Sequence, residues 1–158
     1  MSGLMKVVHP AGFPPARGYS NGISAHGRTL HVAGQVGWEA DGTFASDELA
    51  PQFARALDNV IAVVRAGGGE PRHIAAMTIY VTDMAGYRTA AAGALSSIWR
   101  ERMGRHYPAM ALVGVSELVD PRARVEIQAV AVLEEAHRVT PRDGVPSSGG
   151  DLSGGDEA

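Results

Sequence analysis

The sequence predicts an α+β domain in which two helices cover one face of a single sheet. Two observations carry this. Segments of strand and helix character follow the order strand, strand, helix, strand, helix, strand, strand. Strands such as Met77-Thr78-Ile79-Tyr80-Val81 and Met110-Ala111-Leu112-Val113 are apolar on both faces, whereas two helices cover only one. The uncovered face calls for association with further copies of the chain.

At 158 residues the chain has room for one core. Residues 1–17 hold three prolines without a sustained period and are expected to form an irregular lead-in. Ile23 to His26 and Thr29 to Ala33 read as two short strands joined by a tight turn at Gly27-Arg28. Gly34 to Gly42 is loop, ending in an Asp-Gly turn pair.

Leu49, Phe53, Leu57, Val60, Ile61 and Val64 then fall on one helical stripe. Pro51 is tolerable there only in the first turn, and Gly67-Gly68-Gly69 ends the helix. Ile74 to Val81 is a strand. A second helix is expected from Ala85 to about Arg102, with Tyr87, Ala91, Ala94, Leu95, Ile98 and Trp99 on one face. Tyr107-Pro108 breaks it. Strands at Ala109 to Val115 and Arg124 to Leu133 complete a domain spanning 18–137. Residues 138–158 are rich in Pro, Gly, Ser and Asp, and are expected to form a disordered tail.

The bulk properties exclude several classes of function. A net charge of −3 with scattered basic residues gives no electrostatic footprint for nucleic acid or an anionic membrane. The absence of cysteine removes thiolate catalysis and Cys-based metal sites. The six histidines show no ligand spacing, so no metal is expected. No Ser lies in a GxSxG elbow, and the triple glycine follows a helix where a phosphate cradle would precede one. With no signal-like or membrane-length apolar run, a cytoplasmic location is the corresponding expectation.

One residue stands out against this background. In the last strand Val125, Ile127, Ala129, Ala131 and Leu133 share a face suited to the helices, which turns Glu126 toward the other side. A carboxylate there could orient or deprotonate a water in a crevice between subunits. The alternative is a structural ion pair with Arg122, Arg124 or an arginine of another subunit.

Several motifs occur in order: Gly18-Tyr19-Ser20-Asn21-Gly22, Leu30-His31-Val32-Ala33-Gly34-Gln35-Val36-Gly37, Ala56-Leu57-Asp58-Asn59-Val60, Ile79-Tyr80-Val81-Thr82-Asp83-Met84, Tyr107-Pro108-Ala109 and Val125-Glu126-Ile127-Gln128-Ala129-Val130-Ala131. Together they resemble the RidA (YjgF, or L-PSP endoribonuclease) family. The resemblance implies a chorismate-mutase-like fold assembled as a homotrimer, with small-molecule clefts between subunits. It also implies cofactor-free hydrolysis of enamines and imines. In such a site an arginine grips the substrate carboxylate and a glutamate positions water. By resemblance Glu126 is the catalytic residue. Tyr19, Ala33, Gly34, Met110, Ala111 and Leu112 are the ligand-binding ones.

Three positions depart from the family pattern. Ala33 stands where the family has a hydroxyl residue, and the family's helix asparagine falls within Ala90 to Ala92. The Pro-Ala-Arg-Ser motif reads Pro108-Ala109-Met110-Ala111, so the carboxylate grip is absent. Its loss is expected to cost on the order of 2–5 kcal/mol, roughly thirty-fold to several-thousand-fold in binding or rate. Arg88, Arg105 and Arg124 are the candidates to replace it.

The expectation is weak or absent activity on 2-imino acids, with Met110, Leu112 and Ala33 favouring a small neutral or partly apolar ligand. A non-catalytic ligand-binding or regulatory trimer is the alternative. RNA cleavage or translational inhibition is disfavoured by the acidic balance.

Overall fold

The computed structural model describes residues 3–135; the expected C-terminal tail at 138–158 lies outside them. Six strands form two sheets, accompanied by two long helical stretches and a short 3-10 turn at Pro71–His73. β1 (Met5–Val8) and β2 (Gly22–Ala25) make an antiparallel ribbon. β3 (Arg28–Val36), β4 (Ile74–Val81), β5 (Ala109–Gly114) and β6 (Val125–Leu133) make a mixed sheet in the order β3-β6-β4-β5. Only the β4–β5 pair is parallel.

The α+β architecture agrees with the sequence, but its first sixty residues hold three corrections. The smallest is that β3 runs on to Val36 through residues expected to be loop from Gly34. Part of the lead-in expected to be irregular is strand β1, which owes its form to a non-local partner rather than to any period of its own. The expected hairpin between β2 and β3 is also absent. His26 N–H donates to Leu4 O at 2.9 Å, extending the β1–β2 contact, and the chain then crosses to the other sheet. Gly27 sits at that crossing with φ +147°, and a Cβ there would strike the Leu133 carbonyl.

α1 (Leu49–Ala66) buries Phe53, Leu57, Val60, Ile61 and Val64 against β3 and β6, as its spacing requires. Pro51 lies in its first turn. Gly68 at φ +91° follows its last turn, with the Gly69 N–H closing on Val64 O at 2.9 Å.

One polar residue, Gln52, shares the buried face of α1. Its Nε2 donates to Ser46 O and Arg122 O, and its Oε1 accepts from Arg124 N–H at 2.7 Å. This fixes the entry to β6 against the helix start. Asn59 does similar work, donating to Val36 O and Trp38 O at 3.0 Å, while Arg102 grips both oxygens of Asp58. That hydrogen-bonded pairing raises the Arg102 pKa further.

The second helix is not a single α-helix. It runs as α2 (Met84–Ala90), a π-helical segment (Ala91–Leu95) and α3 (Ser96–Met103). The spacing of its inward residues explains why. Tyr87, Ala91, Leu95, Trp99 and Met103 recur every four positions, and each step of four overshoots an α-helical turn by roughly 40°. The wider π turn absorbs the drift, so Leu95, Trp99 and Met103 stay buried. Ala94, expected on the inward face, is exposed as a consequence.

Candidate functional site

The alternation of β6 divides the sheet cleanly. Val125, Ile127, Ala129, Ala131 and Leu133 are 0–4% exposed beneath α1 and its neighbours. Glu126, Gln128 and Val130 turn to the side that no helix covers, opposite Tyr80, Thr78 and Ala76 of β4. On this open face the Tyr80 hydroxyl donates to Gln128 Oε1 at 3.2 Å.

Glu126 is seated over the backbone of β3. The β3–β6 register slips between Val32 and Gln35, leaving Ala33 and Gly34 as a bulge. The carboxylate lies against Gly34 so closely that a Cβ there would collide with Oε1 and come within 2.8 Å of Cδ. Glycine is thus required for close approach, not for an unusual φ. The two structural partners of Glu126 proposed within the chain are engaged elsewhere. Arg122 pairs with Asp120 at 2.9 Å, and Arg124 Nε donates to Asp47 O at 3.1 Å.

Met110 lies on the other side of the sheet. Its parallel register with Met77 gives it the same face as that buried residue, and it packs against the core. It lines a cavity of about 310 Å³ with Gly18, Phe53, Tyr87, Leu95, Trp99 and Tyr107, among others. Leu112 follows Met110 on this face by register with Ile79, whereas Ala111 pairs with Thr78 and faces the open side. The sheet therefore separates Met110 from Glu126 within one chain, and only Ala33, Gly34 and Ala111 share the side of Glu126 or the bulge beneath it.

The motif around Tyr19 is stitched to β5. Ser20 N–H donates to Pro108 O at 2.9 Å, and Ser20 Oγ donates to Tyr107 O at 2.6 Å. This sets Gly18 over the Met110 cavity. Tyr19 lines a neighbouring hollow with Arg72, Arg105 and His106. None of Arg88, Arg105 and Arg124 lines the Met110 cavity.

Sequence reasoning did not single out the π-helical segment. The unbroken spacing of four was the available signal.

The Endoribonuclease L-PSP family model matches residues 11–133. The chain belongs to this family. It is 29% identical to human 2-iminobutanoate/2-iminopropanoate deaminase over 136 residues, which span 84% of this chain and 93% of the human protein. Among solved structures, the Rid-family protein YyfB of Yersinia pestis superposes with a TM-score of 0.74 at 30% identity, covering 82% of this chain and 99% of that one. The YjgF gene product of E. coli superposes at 0.59 with 29% identity, covering 80% and 98%. The mixed sheet with its helices on one face is accordingly the Rid fold. Among the described residues no helix is long and apolar enough to cross a membrane.

Proposed function

We propose that this L-PSP family member works as a homotrimer with small-molecule clefts between its subunits, in which Glu126 activates water against an enamine or imine. Met110, standing in the position of the family arginine, leaves it with weak or no activity on 2-imino acids. The observation that carries the reading is Glu126 itself: a carboxylate on an uncovered sheet face, held over a glycine bulge and given no ion pair by any described residue. A carboxylate left without a counter-charge can accept a proton from water. Because Met110 faces the opposite side of the sheet, a site using both residues needs two copies, with the β5 edge of one against the open face of another. That requirement supports the oligomer independently of the apolar-surface argument.

A coupled assay in which a dehydratase releases 2-iminobutanoate tests this directly. Turnover should fall roughly thirty-fold or more below that of an arginine-bearing relative. Met110→Arg should raise it, and Glu126→Ala should abolish the gain. Wild-type turnover equal to the relative's would sink the role given to Met110. A gain that survives Glu126→Ala would sink the role given to Glu126, whereas no gain from Met110→Arg at all would favour the non-catalytic ligand-binding alternative.

A further inference from the structure

We infer that the cavity beside Met110 binds an uncharged aromatic ring bearing a hydrogen-bonding substituent. This deepens the reading above by naming the ligand class, and it rests on that reading only in linking the cavity to the reaction.

The lining carries the argument. Phe53, Tyr87, Trp99 and Tyr107 supply four rings in two contacting pairs. Trp99 and Tyr107 stack with centroids 6.0 Å apart and planes 2° from parallel, while Phe53 and Tyr87 meet edge-on at 6.4 Å and 65°. Ile79, Leu95 and Met110 fill between them. No lining side chain is charged, so an anion here would forfeit its hydration without a counter-charge.

The cavity is uncharged but not greasy throughout. Tyr87, Tyr107 and Ser96, each a hydroxyl residue, are among its lining. Burial raises the Tyr87 phenol above its ordinary value, so it remains a neutral donor at physiological pH. Trp99 Nε1–H is already donated to His106 O at 3.2 Å, which fixes the indole rather than leaving it to seek a partner.

Size agrees with chemistry. At about 310 Å³ the space exceeds the roughly 150 Å³ that suffices to hold benzene in an apolar protein cavity. Its floor is not a chance gap: Ala91 and Leu95 bound the π-helical segment, and Gly18 closes the other side. π turns recur at functional sites. Stacking and edge-on contacts with four rings then favour a flat guest over a branched aliphatic one.

Benzamide and benzoate are near-isosteres that differ in charge, and Trp99 reports on the cavity. The other tryptophan, Trp38, lines a separate surface hollow and is silenced as Trp38→Phe. In that full-length background benzamide should shift Trp99 emission saturably, with benzoate at least about tenfold weaker. Ala91→Leu should weaken the benzamide response by filling the floor. Met110→Arg, or Met110→Lys should the first not fold, should reverse the preference toward benzoate. Equal or tighter binding of benzoate by the Met110 protein overturns the inference, as does the absence of a saturable response to benzamide. Failure of benzamide to bind while 2-iminobutanoate turnover stays low would remove the ligand class alone. Benzamide binding beside full turnover of 2-iminobutanoate would remove the proposed role of Met110 and keep the ligand class.

Discussion

The two faces of β6 are made by the same nine residues and have opposite fates. One face is closed beneath α1 and the π-interrupted helix, and its five apolar side chains are as buried as any in the molecule. The other carries Glu126, Gln128 and Val130 with no more than partial cover. The covered face is where folding energy is gained. The open face is where the chain keeps surface and a charge available, and in the proposed assembly other copies would meet it there.

The largest effect should come from breaking the covered face. Ile127→Ala removes a fully buried side chain and should destabilise by about 3 kcal/mol, within the usual range for such truncations. Urea unfolding at fixed protein concentration measures this. Gln128→Ala, one residue away and facing outward, should change stability by less than about 0.5 kcal/mol. Equal losses would erase the contrast between the faces.

A slightly smaller effect is expected from Gln52→Leu. The substitution keeps the bulk of the side chain but strands the Arg124 N–H and the Arg122 carbonyl, for about 2 kcal/mol. Gly34→Ala probes the bulge under the carboxylate and should cost about 1–2 kcal/mol through overpacking against Glu126. Combined with Glu126→Ala, much of that loss should return, and a coupling of at least about 0.5 kcal/mol in a double-mutant cycle would show it. Additive losses would mean that the two groups do not touch. The smallest effect on the fold should come from Val113→Asp on the exposed, outward side of β5. It should leave far-UV circular dichroism unchanged yet reduce the assembly measured by light scattering, whereas an unchanged mass would argue against oligomerisation through this face.

The parts of the fold that were legible in the sequence are those whose signal is local. The stripe of α1 and the alternation of β6 each fix a buried face by period alone, and the side on which Glu126 sits follows from that period. The elements that escaped depend on partners distant in the chain. β1 is four residues without alternation, and only its pairing with β2 makes it a strand. The face of Met110 depends on which β4 residue lies beside it in a parallel register, which spacing within β5 does not reveal. Gln52 sits inside an apolar stripe, yet its partners come from two loops, one of them seventy positions away.

The π-helical segment has one further consequence. A π turn holds one residue more than the same stretch of α-helix, so the chain between Tyr87 and Trp99 is a residue longer than its packing demands. Removing one alanine from Ala90–Ala92 would change the inward spacing from four, four, four, four to a pattern containing a three. That pattern keeps the stripe in step with an ordinary helix. A shorter chain could therefore fold with the same core and a more regular helix, while losing the widened wall beside Met110. The extra residue is a length change inside a helix instead of a loop, and it alters the shape of a cavity while leaving the sheet and its core untouched.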